Sequence, residues 1–363
     1  LPHANRDHRE IHPAYGFDQL EISDEPGCYE DAYRAWVRRQ APEQLDFISV
    51  GLPPQAEIYY KAMGIKDSIQ HPSERFPKRA IAFRGRDDMT HTAFVADRTM
   101  EYIRQNRDGN FLCVAGFYSP HSPWVAPQKF LDLYEPDELT LPEFPPEIDC
   151  KRSESFFSDV ELRAARHGYY AMVSEVDYHV GRILDCLDDC GIAENTIVIF
   201  TSDHGEWLGE HLRYGKGFPA HDCISRVPLI IRWPEGVKSH GRTVSGIVEG
   251  VDVIPMLLEA AGVPIPYYLQ GHSLLEALKG QSFTGRESAL TEGEGVKTLR
   301  TEKYRYVSYA DGRELLFDLE EDTRGYHNVA DKINYAQTLA EVRHQMLQHL
   351  IKIERPIPRS WAY

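Results

Sequence analysis

The chain lacks the features that mark several large classes of protein. Its 363 residues include only six cysteines, and these form no Cys-x-x-Cys pair of the kind found in structural zinc sites. No apolar run reaches the length of about 18 residues that a membrane-spanning helix needs. Asp and Glu outnumber Lys and Arg by 56 to 40, for a net charge of -16. We therefore expect no membrane span and no nucleic-acid partner, since the latter requires a basic surface.

The sequence also lacks signals that would assign a cellular compartment. It contains no Asn-x-Ser/Thr glycosylation site. Cys186 and Cys190 lie one helical turn apart, which is poor geometry for a disulfide, so the cysteines give no evidence of an oxidising environment. A periplasmic, secreted or cytoplasmic location is left open, and so is the oligomeric state.

The chain does contain an alternation of helical patterns and short, wholly apolar runs. Such runs are typical of strands buried on both faces, and they occur at residues 111–115, 196–201 and 227–233. Apolar residues recur at helical spacing over residues 97–105, 158–191 and 251–261. This alternation predicts an α/β fold in which a mostly parallel sheet is sandwiched by helices.

The pattern changes towards the C-terminus. Residues 303–309 and 315–319 flank the turn signal Asp311-Gly312, which predicts an antiparallel hairpin. A final amphipathic helix is expected from about residue 335 to 353. We therefore predict an α/β domain over residues 1–285 and a small α+β subdomain over 286–363. Residues 1–85 show little periodicity and are predicted to be irregular.

One polar cluster stands where an α/β sheet places its ligands. Asp203 and His204 directly follow the apolar run 196–201, and ligands of open α/β sheets bind beyond the carboxyl ends of the strands. An adjacent carboxylate and imidazole can both reach one cation. The alternative is an Asp that caps a helix beside a histidine with no role in binding, and the spacing alone does not decide between the two.

Several longer motifs carry a resemblance to a known family. Residues 201–211, followed by Lys216 and residues 226–232, resemble the second signature of the sulfatases. Residues 251–262 with 271–274, and later 315–319, are similar to further segments of that family in the same order. The resemblance runs from about residue 90 to the end and is greatest to iduronate-2-sulfatase and arylsulfatase-like members. It implies the alkaline-phosphatase-like fold and hydrolysis of sulfate esters.

The resemblance also implies roles for individual residues. Asp203 and His204 match the family's ligands for a divalent cation, most often Ca²⁺, with Mn²⁺ or Mg²⁺ as alternatives. Lys216 matches the lysine that contacts the sulfate. His121, in the loop 119–123, is similar to the histidine that touches the ester oxygen. The expected partner is a sulfated small molecule or carbohydrate, with His121 and Lys216 converging on one cleft.

Two departures from the family pattern affect these expectations. The family's nucleophile is a Cys or Ser that is oxidised to formylglycine within Cys/Ser-x-Pro-x-Arg, and this chain has no such motif, since residues 71–75 lack its order. The family's Asp-Asp metal pair is also missing, because Asp87-Asp88 follows no apolar strand and is predicted to lie on the surface. We therefore expect formylglycine to lie outside this chain, which alone would hold half a metal site and be inactive.

Two other functions remain open at this point. A phosphonate or phosphate ester hydrolase of the same superfamily would share the Asp203-His204 pair. A non-catalytic binding domain would keep the fold without a nucleophile. The identity of the nucleophile would separate the three readings.

Overall fold

The computed structural model describes residues 16–23, 27, 31–48, 79–155, 157–237 and 240–354. The comparison of residues 71–75 with the nucleophile motif therefore falls outside the described residues. The helices are α1 Ala32–Gln40, α2 His91–Asn106, α3 Gln128–Leu131, α4 Pro146–Asp149, α5 Asp159–Asp189, α6 Asp222–Ser225, α7 Val253–Ala260, α8 Leu275–Leu278 and α9 Ala336–Ile353. The strands are β1 Ile81–Ala82, β2 Val125–Ala126, β3 Val198–Thr201, β4 Leu229–Arg232, β5 Ser288–Gly293, β6 Val296–Thr301, β7 Tyr304–Tyr309 and β8 Glu314–Asp318.

The chain divides into two compact units. The first comprises residues 1–143 and 151–193, and the second comprises residues 144–150 and 194–363. The domain boundary predicted at residue 285 lies inside the second unit, and it stays a prediction. Among the described helices, none is both long and apolar enough to cross a membrane.

In the first unit, α2 packs against α5. The start of α5 has a reciprocal capping box, in which Ser158 and Glu161 each bond the other's backbone N–H. The predicted helix 97–105 is longer than expected, because the Thr90 hydroxyl accepts from the N–H of Ala93 at 3.1 Å and starts α2 six residues earlier. β1 and β2 pair in parallel.

The prediction that residues 1–85 are wholly irregular is wrong. α1 is capped by Asp31, whose carboxylate accepts from the N–H of Arg34. Its apolar side chains, including Tyr33 and Trp36, form a core cluster with Phe94 of α2. The sequence does contain a signal for this helix, an Asp N-cap followed by apolar residues at helical spacing. Because the helix has only nine residues, that spacing repeats too few times to stand out.

A carboxylic acid is buried in this unit. The Glu175 residue on α5 is only 1% exposed, and it accepts from the Thr90 hydroxyl at 2.6 Å. Burial raises the pKa of its carboxyl to about 7, because the ionised form loses its hydration. Glu175 is therefore a group whose protonation is coupled to folding.

The strand predictions are corrected in two respects. Residues 111–115 form no paired strand within the described residues, and Leu112 and Val114 are 60% and 71% exposed. An apolar run becomes a strand only where another strand satisfies its backbone groups. β3 and β4 were correctly placed, but they pair antiparallel and are only partly buried. A parallel pairing is described only for β1 with β2.

The second unit contains the predicted C-terminal hairpin. β5, β6, β7 and β8 form an antiparallel sheet in that order, with β7 and β8 as the expected hairpin. One face of the sheet packs against α9, through a cluster that includes Leu299, Leu316 and Met346. The other face contributes Val307 and Phe317 to a second cluster. The sheet is thus covered on both faces, which makes it a core element of this unit.

Candidate functional site

The loop after β3 carries the two residues predicted to bind a cation. The Asp203 side chain is 83% exposed, and its Oδ2 lies 3.5 Å from Nε2 of His204. Its Oδ1 also accepts the backbone N–H of His204 at 2.9 Å. The carboxylate and the imidazole are therefore close enough to reach one ion. Their role as ligands stays a prediction.

The hydrogen bonds of His204 fix which ring nitrogen is available. Nδ1 lies 2.8 Å from the carbonyl oxygen of Gly205, and a carbonyl can only accept, so Nδ1 carries the proton. Nε2 is then the unprotonated nitrogen, and it lies 3.5 Å from Oδ2 of Asp203. A histidine that ligates a metal is commonly oriented in this way by a backbone carbonyl.

Lys216 joins this pair although it is twelve residues beyond His204. Its Nζ lies 3.0 Å from Nε2 of His204. Arg213, which precedes it, donates to the carbonyl of Phe218 at 3.0 Å and lies over the ring of Trp207. Of these two basic side chains, it is therefore that of Lys216 that lies beside Asp203 and His204.

The donor set fits part of a cation site. A carboxylate oxygen and an imidazole nitrogen suit a divalent ion, and the His204 tautomer leaves Nε2 unprotonated. Across the part of the chain that the structure describes, no group of three or more His, Cys, Asp or Glu side chains could hold a metal. Asp203 and His204 would be two ligands of such an ion, and both this role and the half-built site stay predictions.

The segment that delivers Lys216 is a closed loop, residues 207–216, here called the lysine loop. The carboxylate of Glu206 accepts the N–H of Leu208 at 3.3 Å and also that of Gly215. The N–H of Trp207 donates to the carbonyl of Gly215 at 2.9 Å. Burial raises the pKa of the Glu206 carboxyl. Both ends of the loop are therefore tied together beside Glu206.

The lysine loop has an unusual backbone. Leu208, His211 and Leu212 have φ of 39°, 54° and 57°, in the left-handed region that residues other than glycine seldom adopt. Such conformations cost about 1–3 kcal/mol each and persist only where the surroundings enforce them. The loop must therefore be held by contacts outside its own backbone.

Two histidines provide one such contact. The rings of His211 and His221 lie 4.0 Å apart between centroids, and the ring of His211 also packs against that of Tyr326 at 4.4 Å. Arg305 donates to Nδ1 of His221 at 3.2 Å. Burial lowers the pKa of His211 to about 4 and that of His221 to about 2, so both rings are neutral near pH 7 and can stack without repulsion.

Gly205 meets a neighbouring chain segment without room for a side chain. Its N–H donates to the carbonyl of Ile224 at 2.7 Å, and a Cβ built on it would lie 2.0 Å from the carbonyl oxygen of Cys223. Glycine is required here by this close approach, since its φ is not in the left-handed region. The contact fixes the direction in which the chain leaves His204.

His121 lies in the first compact unit, whereas Lys216 lies in the second. Its Nδ1 is 2.6 Å from the carbonyl of Ser122, and its ring packs at 4.9 Å on Tyr118. The hydroxyls of Ser119 and Thr92 are 3.1 Å apart and connect this loop to α2. The expected convergence of His121 and Lys216 stays a prediction.

Sequence reasoning missed the residues that support the site. Glu206 lies within the quoted motif but received no role, since its backbone partners are visible only in three dimensions. The carboxylate of Asp222 pairs with Arg305 and with Arg300, contacts that its position in the sequence does not indicate. A buried arginine such as Arg305, 1% exposed, has no signature in a single sequence.

Comparison with known proteins identifies the family of this chain. The sulfatase family model matches residues 33–263, and a model described as N-sulphoglucosamine sulphohydrolase, C-terminal, matches residues 209–352. An arylsulfatase from Clostridium perfringens is 26% identical over 337 residues, covering 88% of this chain and 66% of the relative. An ulvan-active sulfatase from Formosa agariphila is 31% identical over 271 residues, covering 71% of this chain and 49% of the relative.

A solved structure shares the fold as well. The phosphonate monoester hydrolase from Silicibacter pomeroyi superposes with a TM-score of 0.67 at 27% identity, covering 74% of this chain and 61% of the other. This confirms the predicted alkaline-phosphatase-like α/β fold. The chain spans about half to two-thirds of the length of these three relatives. Because the family model matches more than half of the chain, the chain belongs to the sulfatase family.

Proposed function

We propose that the protein carrying this chain hydrolyses sulfate monoesters. The observation that carries the proposal is the placement of Lys216 beside Asp203 and His204, within a chain that the sulfatase model matches. We also propose a sulfated carbohydrate or small molecule as the substrate. The match of residues 209–352 to a model named for an N-sulphoglucosamine sulphohydrolase supports the carbohydrate.

Each of the three residues has a defined task in this proposal. The Lys216 ammonium binds an oxygen of the sulfate and offsets its negative charge. The imidazole of His204 is held at Nδ1 by the carbonyl of Gly205, which leaves Nε2 as the ligand atom, and Asp203 supplies a carboxylate next to it. A divalent cation bound to that pair would stabilise charge as it develops on oxygen. None of Asp203, His204 and Lys216 is the formylglycine nucleophile that the resemblance to the family implies.

Charge favours a sulfate monoester over a phosphate monoester. A sulfate monoester is a monoanion, whereas a phosphate monoester is a dianion near neutral pH and needs more positive compensation. Lys216 is directed at the site, while Arg213 is engaged with Phe218 and Trp207. The modest positive charge of this segment suits the monoanion.

A phosphonate monoester is the second candidate substrate. It is also a monoanion, so the charge argument does not exclude it. The likeness in fold to the phosphonate monoester hydrolase from Silicibacter pomeroyi specifically favours it. A protein that binds such esters without cleaving them is the non-catalytic alternative.

A parallel assay tests the reaction class. The protein, expressed from its whole coding sequence, is given 4-nitrophenyl sulfate, 4-nitrophenyl phosphate, a 4-nitrophenyl phosphonate monoester and sulfated sugars. We expect the highest kcat/KM on a sulfate ester. Higher values on every phosphorus ester would overturn the proposal in favour of the second candidate. Binding of the esters without hydrolysis would support the non-catalytic alternative.

We further propose that Asp203 and His204 ligate a divalent cation, with Ca²⁺ as the expected ion. Replacing Asp203 with alanine is then expected to weaken cation affinity by about tenfold or more, a loss that even residues around the direct ligands can cause. Isothermal titration with Ca²⁺, Mn²⁺ and Mg²⁺ measures the change and ranks the ions.

A matched variant controls for the loss of one surface charge. Asp311 is also an exposed aspartate, and it pairs with Arg313 in the β7–β8 turn. The Asp311→Ala variant should keep wild-type affinity for the cation. Equal affinities of the Asp203→Ala variant and the wild type would remove Asp203 from the ligand set.

A further inference from the structure

Glu206 makes contacts that the proposed reaction does not use. Its carboxylate accepts N–H groups from Leu208 and Gly215, which stand at the two ends of the lysine loop. Among the described ion pairs, none involves Glu206. The described contacts of the carboxylate are therefore hydrogen bonds to backbone N–H groups and not ion pairs with a lysine or an arginine.

Burying a carboxylate is unfavourable unless hydrogen bonds compensate for its lost hydration. Glu206 receives that compensation from the loop itself, because both N–H groups belong to it. In turn, two N–H groups at the base of the loop gain an ionised acceptor, and hydrogen bonds to charged groups are stronger than those between neutral ones. The loop and Glu206 therefore stabilise each other.

The lysine loop needs such an anchor. Its three left-handed residues other than glycine would relax if the base opened. His211 holds the middle of the loop through His221 and Tyr326, but that contact lies five residues before Lys216. Glu206 instead bonds Gly215, the immediate neighbour of Lys216 in the chain.

We infer that Glu206 is a positioning residue that closes the base of the lysine loop and sets the Lys216 ammonium against His204. It acts on the hydrolysis through Lys216 and does not touch substrate. This role in catalysis rests on the proposed function, whereas the closure of the loop does not. A glutamine at position 206 would present the same carbonyl oxygen to both N–H groups, and alanine would present none.

Hydrogen exchange tests the closure directly. In Glu206→Ala the Gly215 amide should exchange about ten- to a hundredfold faster, since a hydrogen bond to a charged group is lost. Glu206→Gln should remain near wild type. Glu302→Ala, at an exposed turn between β6 and β7, is the matched control and should change nothing at Gly215. Amides of β7 report whether each variant is folded.

Kinetics test the link to Lys216. Glu206→Ala should lower kcat with a small change in KM, and combining it with Lys216→Ala should cost no more than Lys216→Ala alone. That non-additivity would show that both substitutions remove one interaction. A purely structural role of Glu206 predicts losses that multiply, and that result would overturn the positioning role.

The outcomes separate this inference from the proposed function. If the wild type cleaves no ester, the proposed function fails, and the exchange rate of Gly215 still decides whether Glu206 closes the loop. Unchanged exchange in a folded Glu206→Ala variant would overturn the closure. If that variant does not fold, fast exchange at Gly215 in Glu206→Gln would overturn it instead.

Discussion

Replacing Lys216 with alanine is expected to lower the turnover of the proposed hydrolysis by about 10²–10³-fold, because the variant loses a donor aimed at developing negative charge. The structure places the Lys216 ammonium 3.0 Å from His204, on a loop whose base and middle are both anchored. Lys216→Arg should recover only part of the activity, since a planar guanidinium does not reproduce a compact ammonium. Steady-state kinetics on the preferred ester measure both effects.

A second lysine provides the control. Lys303 is exposed and pairs with Glu320 beside β7, so Lys303→Ala removes one positive charge far along the sequence from the lysine loop. It should retain wild-type turnover. Wild-type turnover in Lys216→Ala would count against the assignment of Lys216 to the sulfate.

Replacing Glu175 with glutamine is expected to stabilise the protein at pH 8 and to have little effect near pH 4.5. Burial raises the pKa of Glu175 from its ordinary 4.5 to about 7, so the folded state keeps a proton that the unfolded chain releases between these values. The stability from this group is complete below pH 4.5 and is lost as pH rises through 7. Glutamine does not ionise and avoids that loss.

The expected gain at pH 8 is about 2–4 kcal/mol in the free energy of unfolding, since one pKa unit corresponds to about 1.4 kcal/mol. Urea denaturation of both proteins at pH 4.5 and pH 8 measures it. Glu154→Gln, on an exposed turn before α5, should give no pH-dependent difference from wild type. A gain of the same size at both pH values would show that ionisation of Glu175 is not its cause.

The sequence predicted best where the local chain carries its own signals. The helix α5 is predicted from its apolar repeat, because a 3.6-residue period depends only on neighbours in the chain. The hairpin of β7 and β8 was recognised from its turn for the same reason. Residues 111–115 show the limit, because whether an apolar run pairs depends on a strand that the run itself does not specify.

The candidate site shows the same division. Asp203 and His204 are adjacent in sequence, and the strand before them indicates where they lie. That Lys216 contacts His204 depends on how the intervening loop closes. The loop is held in part by contacts with distant parts of the chain, such as His211 with Tyr326 and His221 with Arg305, so its closure could not be predicted from spacing.

The packing of His211 against Tyr326, and of His221 against Phe317, has a consequence for recombination between relatives. Tyr326 lies in the segment after β8, while Phe317 belongs to β8 and Phe218 packs against the same cluster of that sheet. In a chimera with its crossover near residue 285, the residues that contact His211 and His221 would come from another protein. To keep these contacts, the signature motif and the C-terminal sheet with the segment after it must therefore come from the same parent.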